Sequence, residues 1–136
     1  MPPSLLDTDT LSEVMKGRDP QVQRHARRYL ASYGPFTFSI ITRYEILRGL
    51  KARGATRQIA AFEERCRESN VLPLTDNVIV EAADIHADLY QQSELISDAD
   101  ILIAATALVY GLTLVTENAA HFRRISGLDI ESWRAS

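Results

Sequence analysis

The sequence predicts an α/β domain built around a mostly parallel sheet. Short apolar runs alternate with longer segments in which apolar residues recur at helical spacing, which is the pattern of strands connected by helices. The composition agrees, since the chain has 136 residues of which 46% are apolar and 24% charged, values typical of a globular protein. A chain of this length can bury one core without a metal or disulfide. No internal repeat or linker interrupts the pattern, so we expect a single domain over residues 1–136.

Five short apolar segments are the predicted strands. They are residues 4–6, 36–39, 71–74, 112–115 and 128–131.

The segments between the strands carry apolar faces at helical spacing. These faces lie within residues 22–33, 44–50, 59–66 and 78–89. Residues 99–110 are apolar on nearly all sides, so this segment is expected to form a central helix buried on several sides. Gly34, Gly54 and Gly111 stand where these helices should end.

Charge is unevenly distributed along the chain. The net charge of −3 argues against a protein that binds nucleic acid over its whole surface. Residues 16–68, however, contain 12 basic and 5 acidic side chains, whereas the rest of the chain contains 3 basic and 13 acidic ones. The basic half fits either solvated helix faces or a surface for a polyanion, and charge alone does not separate the two.

The sequence also indicates a cellular compartment. Cys66 is the single cysteine and cannot form a disulfide within the chain, which indicates a reducing environment. The first ten residues are acidic where a signal peptide would be basic, and the longest apolar run is too short to cross a bilayer. We therefore expect a cytoplasmic protein with no membrane partner.

Acidic side chains recur where predicted strands and helices meet. Asp7 follows the first strand, Glu45 follows the second by a few residues, and Asp100 opens the buried helix. The carboxyl ends of parallel strands share one edge of a sheet, so Asp7 and Glu45 are expected to converge there. Asp100 joins them only if the chain enters its helix from that same edge.

Helix capping is an alternative explanation for these acids. Thr10-x-x-Glu13, Thr42-x-x-Glu45 and Ser97-x-x-Asp100 all fit the spacing in which a hydroxyl and an acid close a helix start. Capping accounts well for Glu13. It does not account for Asp7, whose carboxylate ends an apolar strand and needs a cation or hydrogen bonds.

Clustered carboxylates point to a divalent cation. Ligands that supply only oxygen favour Mg²⁺ or Mn²⁺ over Zn²⁺. One such ion, or a pair, can activate water against a phosphodiester. The three histidines, His25, His86 and His121, show no spacing that would form a competing site.

Four segments resemble the successive motifs of PIN-domain ribonucleases, and within that group the VapC toxins of bacterial toxin–antitoxin pairs. In order they are LLDTDTLSE at 5–13, SIITxYEIxxG at 39–49, DxxIAATA at 100–107 and LVTxNxxxF at 114–122, followed by GLxxExW at 127–133. The resemblance implies a PIN-like three-layer α/β/α domain with a mostly parallel sheet of four to five strands. It also implies a Mg²⁺-dependent endoribonuclease, with Mn²⁺ as a substitute.

The resemblance assigns roles to particular residues. The family's acids fall on Asp7, Glu45 and Asp100, as metal ligands and catalytic groups. A fourth acid of the family is replaced by Asn118, which can bind water or metal but adds no charge. Asp98 and Asp9 are further candidate ligands.

The family also implies partners. These are an RNA substrate such as tRNA or rRNA, a VapB-like antitoxin, and a second copy of the chain, with DNA reached only through the antitoxin. The basic stretch offers the candidate RNA-binding residues Arg24, Arg27 and Arg28 on one helix face, and Arg48 and Lys51 on another.

Two other functions fit parts of the sequence. The first is a binding module that keeps the PIN fold but has lost its chemistry. The second is a phosphatase of the haloacid dehalogenase type, suggested by Asp7 and Asp9. Against it, the threonine follows the second acid directly, with Leu11 at the expected place, and the only lysines are Lys16 and Lys51.

Overall fold

The computed structural model describes residues 1–134 and contains twelve regular elements in that range. The strands are β1 (Ser4–Leu6), β2 (Thr37–Ser39), β3 (Asn70–Leu72), β4 (Thr113–Val115) and β5 (Ile130–Glu131). The helices are α1 (Thr8–Lys16), α2 (Pro20–Tyr33), α3 (Ile40–Ala52), α4 (Thr56–Arg67), α5 (Asp76–Gln91), α6 (Asp98–Tyr110) and α7 (Ala119–Phe122).

The five strands form one sheet in the order β3-β2-β1-β4-β5, and every neighbouring pair is parallel. Leu6 of β1 lies opposite Phe38 of β2 on one side and Val115 of β4 on the other. The predicted parallel sheet is therefore confirmed. Because all strands run the same way, the segments that follow β1, β2 and β4 leave the sheet at the same edge.

β1 has the predicted bounds, whereas the other four paired strands are shorter than the predicted apolar runs. Phe36 precedes β2 and is 1% exposed, and its carbonyl accepts from the backbone N–H of Asn70 as the β2–β3 pairing begins. At the other end of β3, Pro73 has no N–H to donate and the ladder stops. Apolar character thus extends into flanking residues that pack on the core without pairing.

Helices cover both faces of the sheet. Neighbouring residues of a strand point to opposite faces, and Leu5 and Leu6 accordingly belong to two different buried clusters. Leu5 packs with α5 and α6, whereas Leu6 packs with α1, α2 and α4 and with Trp133. This is the predicted three-layer α/β/α arrangement.

α6 matches the predicted central helix. Ile101 and the run from Ile103 to Ala107 are buried, and α6 packs extensively against α5. Across residues 1–134, the helices lack the combined length and apolar character needed to span a bilayer.

Candidate active site

Asp7 lies where β1 ends and α1 begins. Its backbone N–H donates to the carbonyl of Val115 at 3.1 Å, and its Oδ1 accepts from the N–H of Thr10 at 2.8 Å. The residue is 4% exposed. Burial raises the pKa of this carboxyl from 3.8 to about 6, although hydrogen bonds from Thr116 and Thr10 act in the opposite direction. The nearby negative charge of Asp9 also raises this pKa.

The structure corrects the expected helix caps. The cap of α1 is Asp7 rather than Thr10, and the cap of α3 is Ser39 rather than Thr42. Ser97 caps α6 as expected, since its hydroxyl accepts from the N–H of Asp100 at 3.2 Å. The sequence interpretation was wrong in the first two cases because each helix begins two residues before the threonine, and Asp7, which capping was not expected to explain, is itself the cap of α1. Glu45 therefore lies in the second turn of α3, too far along to cap it.

Glu45 is held by the residue that follows Asp7. The hydroxyl of Thr8 donates to Glu45 Oε1 at 2.6 Å and lies 3.1 Å from the hydroxyl of buried Thr42. Arg48 approaches the other carboxylate oxygen of Glu45 at 3.8 Å. Thr8 and Glu45 stand on helices that follow the neighbouring strands β1 and β2, so Glu45 meets the residue next to Asp7 at the expected edge of the sheet.

Asp100 reaches the same edge through contacts with the segment that follows β4. Its Oδ2 lies 3.6 Å from His121 Nδ1, and the same ring nitrogen lies 2.8 Å from the side-chain amide nitrogen of Asn118. The backbone N–H of Asn118 in turn donates to the hydroxyl of Thr116 at 2.9 Å. Thr116 also interacts with the Asp7 carboxyl, where it opposes the rise in pKa, so the residues that follow β4 have polar neighbours in both Asp7 and Asp100.

The candidate metal ligands are spread along the edge of the sheet and do not converge on a single position. Among residues 1–134, no three His, Cys, Asp or Glu side chains are placed closely enough to hold one metal ion. Asp9 and Asp98 are exposed, each in the first turn of its helix. The buried carboxylate is that of Asp7.

The donor set fits Mg²⁺. This ion keeps several waters and takes one or two carboxylates. Asp7 and Asp100 supply carboxylate oxygens, Asn118 an amide oxygen and Thr116 a hydroxyl, with the imidazole of His121 beside Asp100 and Asn118. A cation would also relieve the cost of ionising Asp7, whose burial otherwise favours the neutral acid.

Three residues of this edge were missed by the sequence reasoning. Thr8 was not singled out, although its position beside Asp7 was a signal. His121 was set aside for lack of a second histidine, and its partners are Asn118 and Asp100. Glu117 accepts from the Ser132 hydroxyl and from the backbone N–H groups of Trp133 and Arg134, which ties the end of the described chain to this edge.

The candidate RNA-binding residues divide into two groups. Arg24, Arg27 and Arg28 are exposed on one face of α2. Arg48 lies beside Glu45 and over the ring of Tyr44, and Lys51 is exposed one turn further along α3. Of these five side chains, Arg48 is the one with a contact to a candidate site residue.

Comparison with known proteins places this geometry in a family. Residues 4–128 match the model of the PIN domain. The chain is 32% identical over 130 residues to a protein of Haemophilus influenzae named ribonuclease VapC2, covering 95% of this chain and 96% of the relative. It is 28% identical over 130 residues, with the same coverage, to the tRNA(fMet)-specific endonuclease VapC of Shigella flexneri.

Solved structures give the same result. The chain superposes on a chain of DNA-bound VapBC from Salmonella typhimurium with a TM-score of 0.86 and 28% identity, covering 98% of this chain and 99% of the other. For VapBC-1 from nontypeable Haemophilus influenzae the TM-score is 0.80 at 25% identity, with 96% and 97% covered. These matches show a PIN-domain protein over nearly the whole chain and so argue against a phosphatase of the haloacid dehalogenase type. The chain belongs to the PIN-domain family and, within it, to the VapC type.

Proposed function

We propose that this protein is a Mg²⁺-dependent endoribonuclease, with Mn²⁺ able to substitute, and the toxin of a VapBC-type pair. The observation that carries the proposal is the buried Asp7 carboxylate, connected by polar contacts to Asp100 on one side of the edge. On the other side, the adjacent Thr8 holds Glu45. The names of the VapC relatives, which are ribonucleases and a tRNA-specific endonuclease, support the reaction class.

Each side chain has a role in this proposal. Asp7 and Asp100 bind the metal, with Asn118 as a neutral ligand and Asp9 and Asp98 as outer, exposed contributors. Glu45, fixed by Thr8, is a further ligand or positions the attacking water. Thr116 orients Asp7 by hydrogen bonding. Bound Mg²⁺ supplies charge stabilisation at the phosphodiester and a more acidic water.

The proposed partners follow from the relatives and from surface charge. The solved neighbours are VapBC complexes, which supports a VapB-like antitoxin as the partner of this chain. DNA contact would then run through the antitoxin, since the net charge is −3. A homodimer, a cytoplasmic location, and tRNA or rRNA as the target complete the proposal.

Analysis of cleavage products tests the reaction. Purified wild-type protein is incubated with total RNA and Mg²⁺, and the new ends are mapped. Attack by water leaves no 2′,3′-cyclic phosphate, and a 2′-deoxy substitution at the mapped site leaves the substrate cleavable. Asp7→Asn is the matched inactive control, because Asn still caps α1 but carries no charge.

The same assay tests the alternative of a catalytically dead binding module. Such a module produces no new RNA ends with Mg²⁺ or Mn²⁺ and binds neither ion through Asp7. Cyclic phosphate ends at the mapped site would instead show attack by the 2′-hydroxyl and contradict the proposed reaction.

A further inference from the structure

A cleft of about 400 Å³ leads away from the candidate active site between α1, α3 and α4. Thr8 and Glu45 line it near the starts of α1 and α3. Lys16 lies eight residues after Thr8, and Arg53 lies eight residues after Glu45; both also line the cleft. Eight residues of an α-helix span about 12 Å, so these two cations lie that far from the acidic end. Arg65 of α4 lines it as well. The cleft is therefore continuous with the edge that carries the acids.

The charge of the cleft is positive. Lys16, Arg53 and Arg65 line it, and Glu45 is the one acid among its lining residues in the described chain. Neither Arg53 nor Arg65 forms an ion pair with a carboxylate of residues 1–134, in contrast to Arg67 on the same helix, which pairs with Glu64 at 2.6 Å. Unpaired guanidinium groups beside a concave surface favour a ligand that carries several negative charges.

The two guanidinium groups have different surroundings. The Arg53 side chain folds back over α3, so that a Cβ added at Gly49 would lie 3.8 Å from Arg53 Nη1. Arg65 lies over the ring of buried Phe36, with 5.6 Å between its guanidinium carbon and the ring centre. A guanidinium fixed on one face presents its edge to a phosphate at a smaller entropic cost.

The floor of the cleft is aliphatic. Met15, Ile46 and Leu50 contribute to it, and none of the residues that line it in the described chain is aromatic. Bases therefore have no ring on which to stack, and the contacts expected to dominate are those to the backbone phosphates. Recognition along this cleft should depend weakly on sequence.

We propose that this cleft holds the single RNA strand adjacent to the scissile phosphodiester, with Lys16, Arg53 and Arg65 binding successive phosphates. The proposal rests on the proposed ribonuclease function and adds a substrate path to it. It differs from the basic face of α2, where Arg24, Arg27 and Arg28 lie outside the cleft lining. Continuity with Glu45 and the three cations favour RNA over a protein segment as the occupant.

Salt-dependent binding tests the proposal. Labelled single-stranded uridine and adenine homopolymers are titrated with full-length protein in the Asp7→Asn background at several KCl concentrations. The triple variant Lys16→Gln, Arg53→Gln, Arg65→Gln is expected to bind both RNAs about tenfold or more weakly. The slope of log affinity against log salt should fall by about 0.7 for each lost contact, or about 2 in all.

Control variants separate binding from folding and from general charge. Arg67→Gln removes a cation from the same helix outside the cleft and should leave the slope unchanged. The double variant Lys16→Gln, Arg53→Gln changes only exposed positions, so it keeps the test valid if Arg65→Gln disturbs the packing on Phe36. With Asp7 intact, this double variant should raise KM for RNA while kcat is retained.

The outcomes distinguish the two proposals. If the wild-type protein neither binds nor cleaves RNA, the ribonuclease function itself is wrong. If it cleaves RNA and the cleft variants behave like Arg67→Gln, only the cleft assignment is overturned. If the cleft variants keep normal RNA binding but are no longer silenced by a co-expressed antitoxin, the cleft belongs to the protein partner and the RNA assignment is equally overturned.

Discussion

The hydroxyl of Thr8 donates a hydrogen bond of 2.6 Å to Oε1 of Glu45. Thr8 directly follows the buried Asp7 at the end of β1, whereas Glu45 lies in the second turn of the helix that follows β2. This contact joins two of the three acids proposed for catalysis through a residue that carries no charge. It also fixes a side chain that would otherwise have several rotamers at a partly exposed position.

We predict that Thr8→Val lowers RNA cleavage about tenfold to a hundredfold, because a hydrogen bond to a charged group contributes about 1.5–3 kcal/mol. Thr8→Ser keeps the hydroxyl and should retain most of the activity. Single-turnover cleavage rates at saturating Mg²⁺ are the measurement. Equal rates for Thr8→Val and the wild type would show that Glu45 needs no support from Thr8.

We predict that Asp7→Asn stabilises the metal-free protein at neutral pH. Asn retains the oxygen that caps α1 and removes a buried charge whose pKa is raised from 3.8 to about 6. This rise in pKa means that ionising Asp7 costs about 3 kcal/mol more in the folded protein than in the unfolded chain. Urea unfolding in EDTA measures the effect, and Asp9→Asn, at an exposed position, is the matched control. A less stable Asp7→Asn protein with intact m-value would contradict the burial argument.

The pH dependence of stability should follow from the same residue. The folded state binds the Asp7 proton more tightly than the unfolded chain does, so its contribution to stability is complete below pH 3.8 and is lost as pH rises to about 6. We predict that the wild-type free energy of unfolding falls relative to that of Asp7→Asn across this window and runs parallel to it above. Unfolding curves in EDTA at a series of pH values test this. A constant difference across the window would show that Asp7 titrates normally.

We predict that Glu117→Ala destabilises the fold by about 1–3 kcal/mol, because Glu117 accepts hydrogen bonds from Ser132, Trp133 and Arg134. Trp133 is fully buried among residues of α1 and α2, so loosening this segment exposes core. Glu94→Ala, which removes an exposed partner of Arg124 at 3.7 Å, is the control and should change stability by less than about 0.5 kcal/mol. Equal unfolding midpoints for the two variants would contradict this role of Glu117.

Much of the fold follows from local sequence patterns. The five apolar runs located all five strands of the described chain, because parallel strands are buried on both faces and read as short continuous apolar segments. Strand ends were less accurate, as at Phe36, because burial and backbone pairing are separate requirements. The caps of α1 and α3 were misplaced because Asp7 and Ser39 belong to strand ends as much as to helix starts.

The candidate site was predictable in part. Parallel topology was enough to expect Asp7 and Glu45 at one edge, since both follow strands. The contact between Asp100 and His121 depends on how α6 packs beside the segment after β4, a long-range relationship that spacing along the chain does not encode. Thr8 was overlooked because a hydroxyl acquires its function from its neighbours.

We propose that carboxylates at this edge of the sheet cleave RNA with the help of a divalent cation. The most direct measurement is the rate of RNA cleavage by purified wild-type protein and by Asp100→Asn, each in EDTA and in increasing Mg²⁺. Asp100 is partly exposed, so the variant should fold as the wild type does. We expect no wild-type cleavage in EDTA, saturable recovery with Mg²⁺, and a loss of at least about a hundredfold in Asp100→Asn. Undiminished cleavage in EDTA, or by Asp100→Asn, would contradict it.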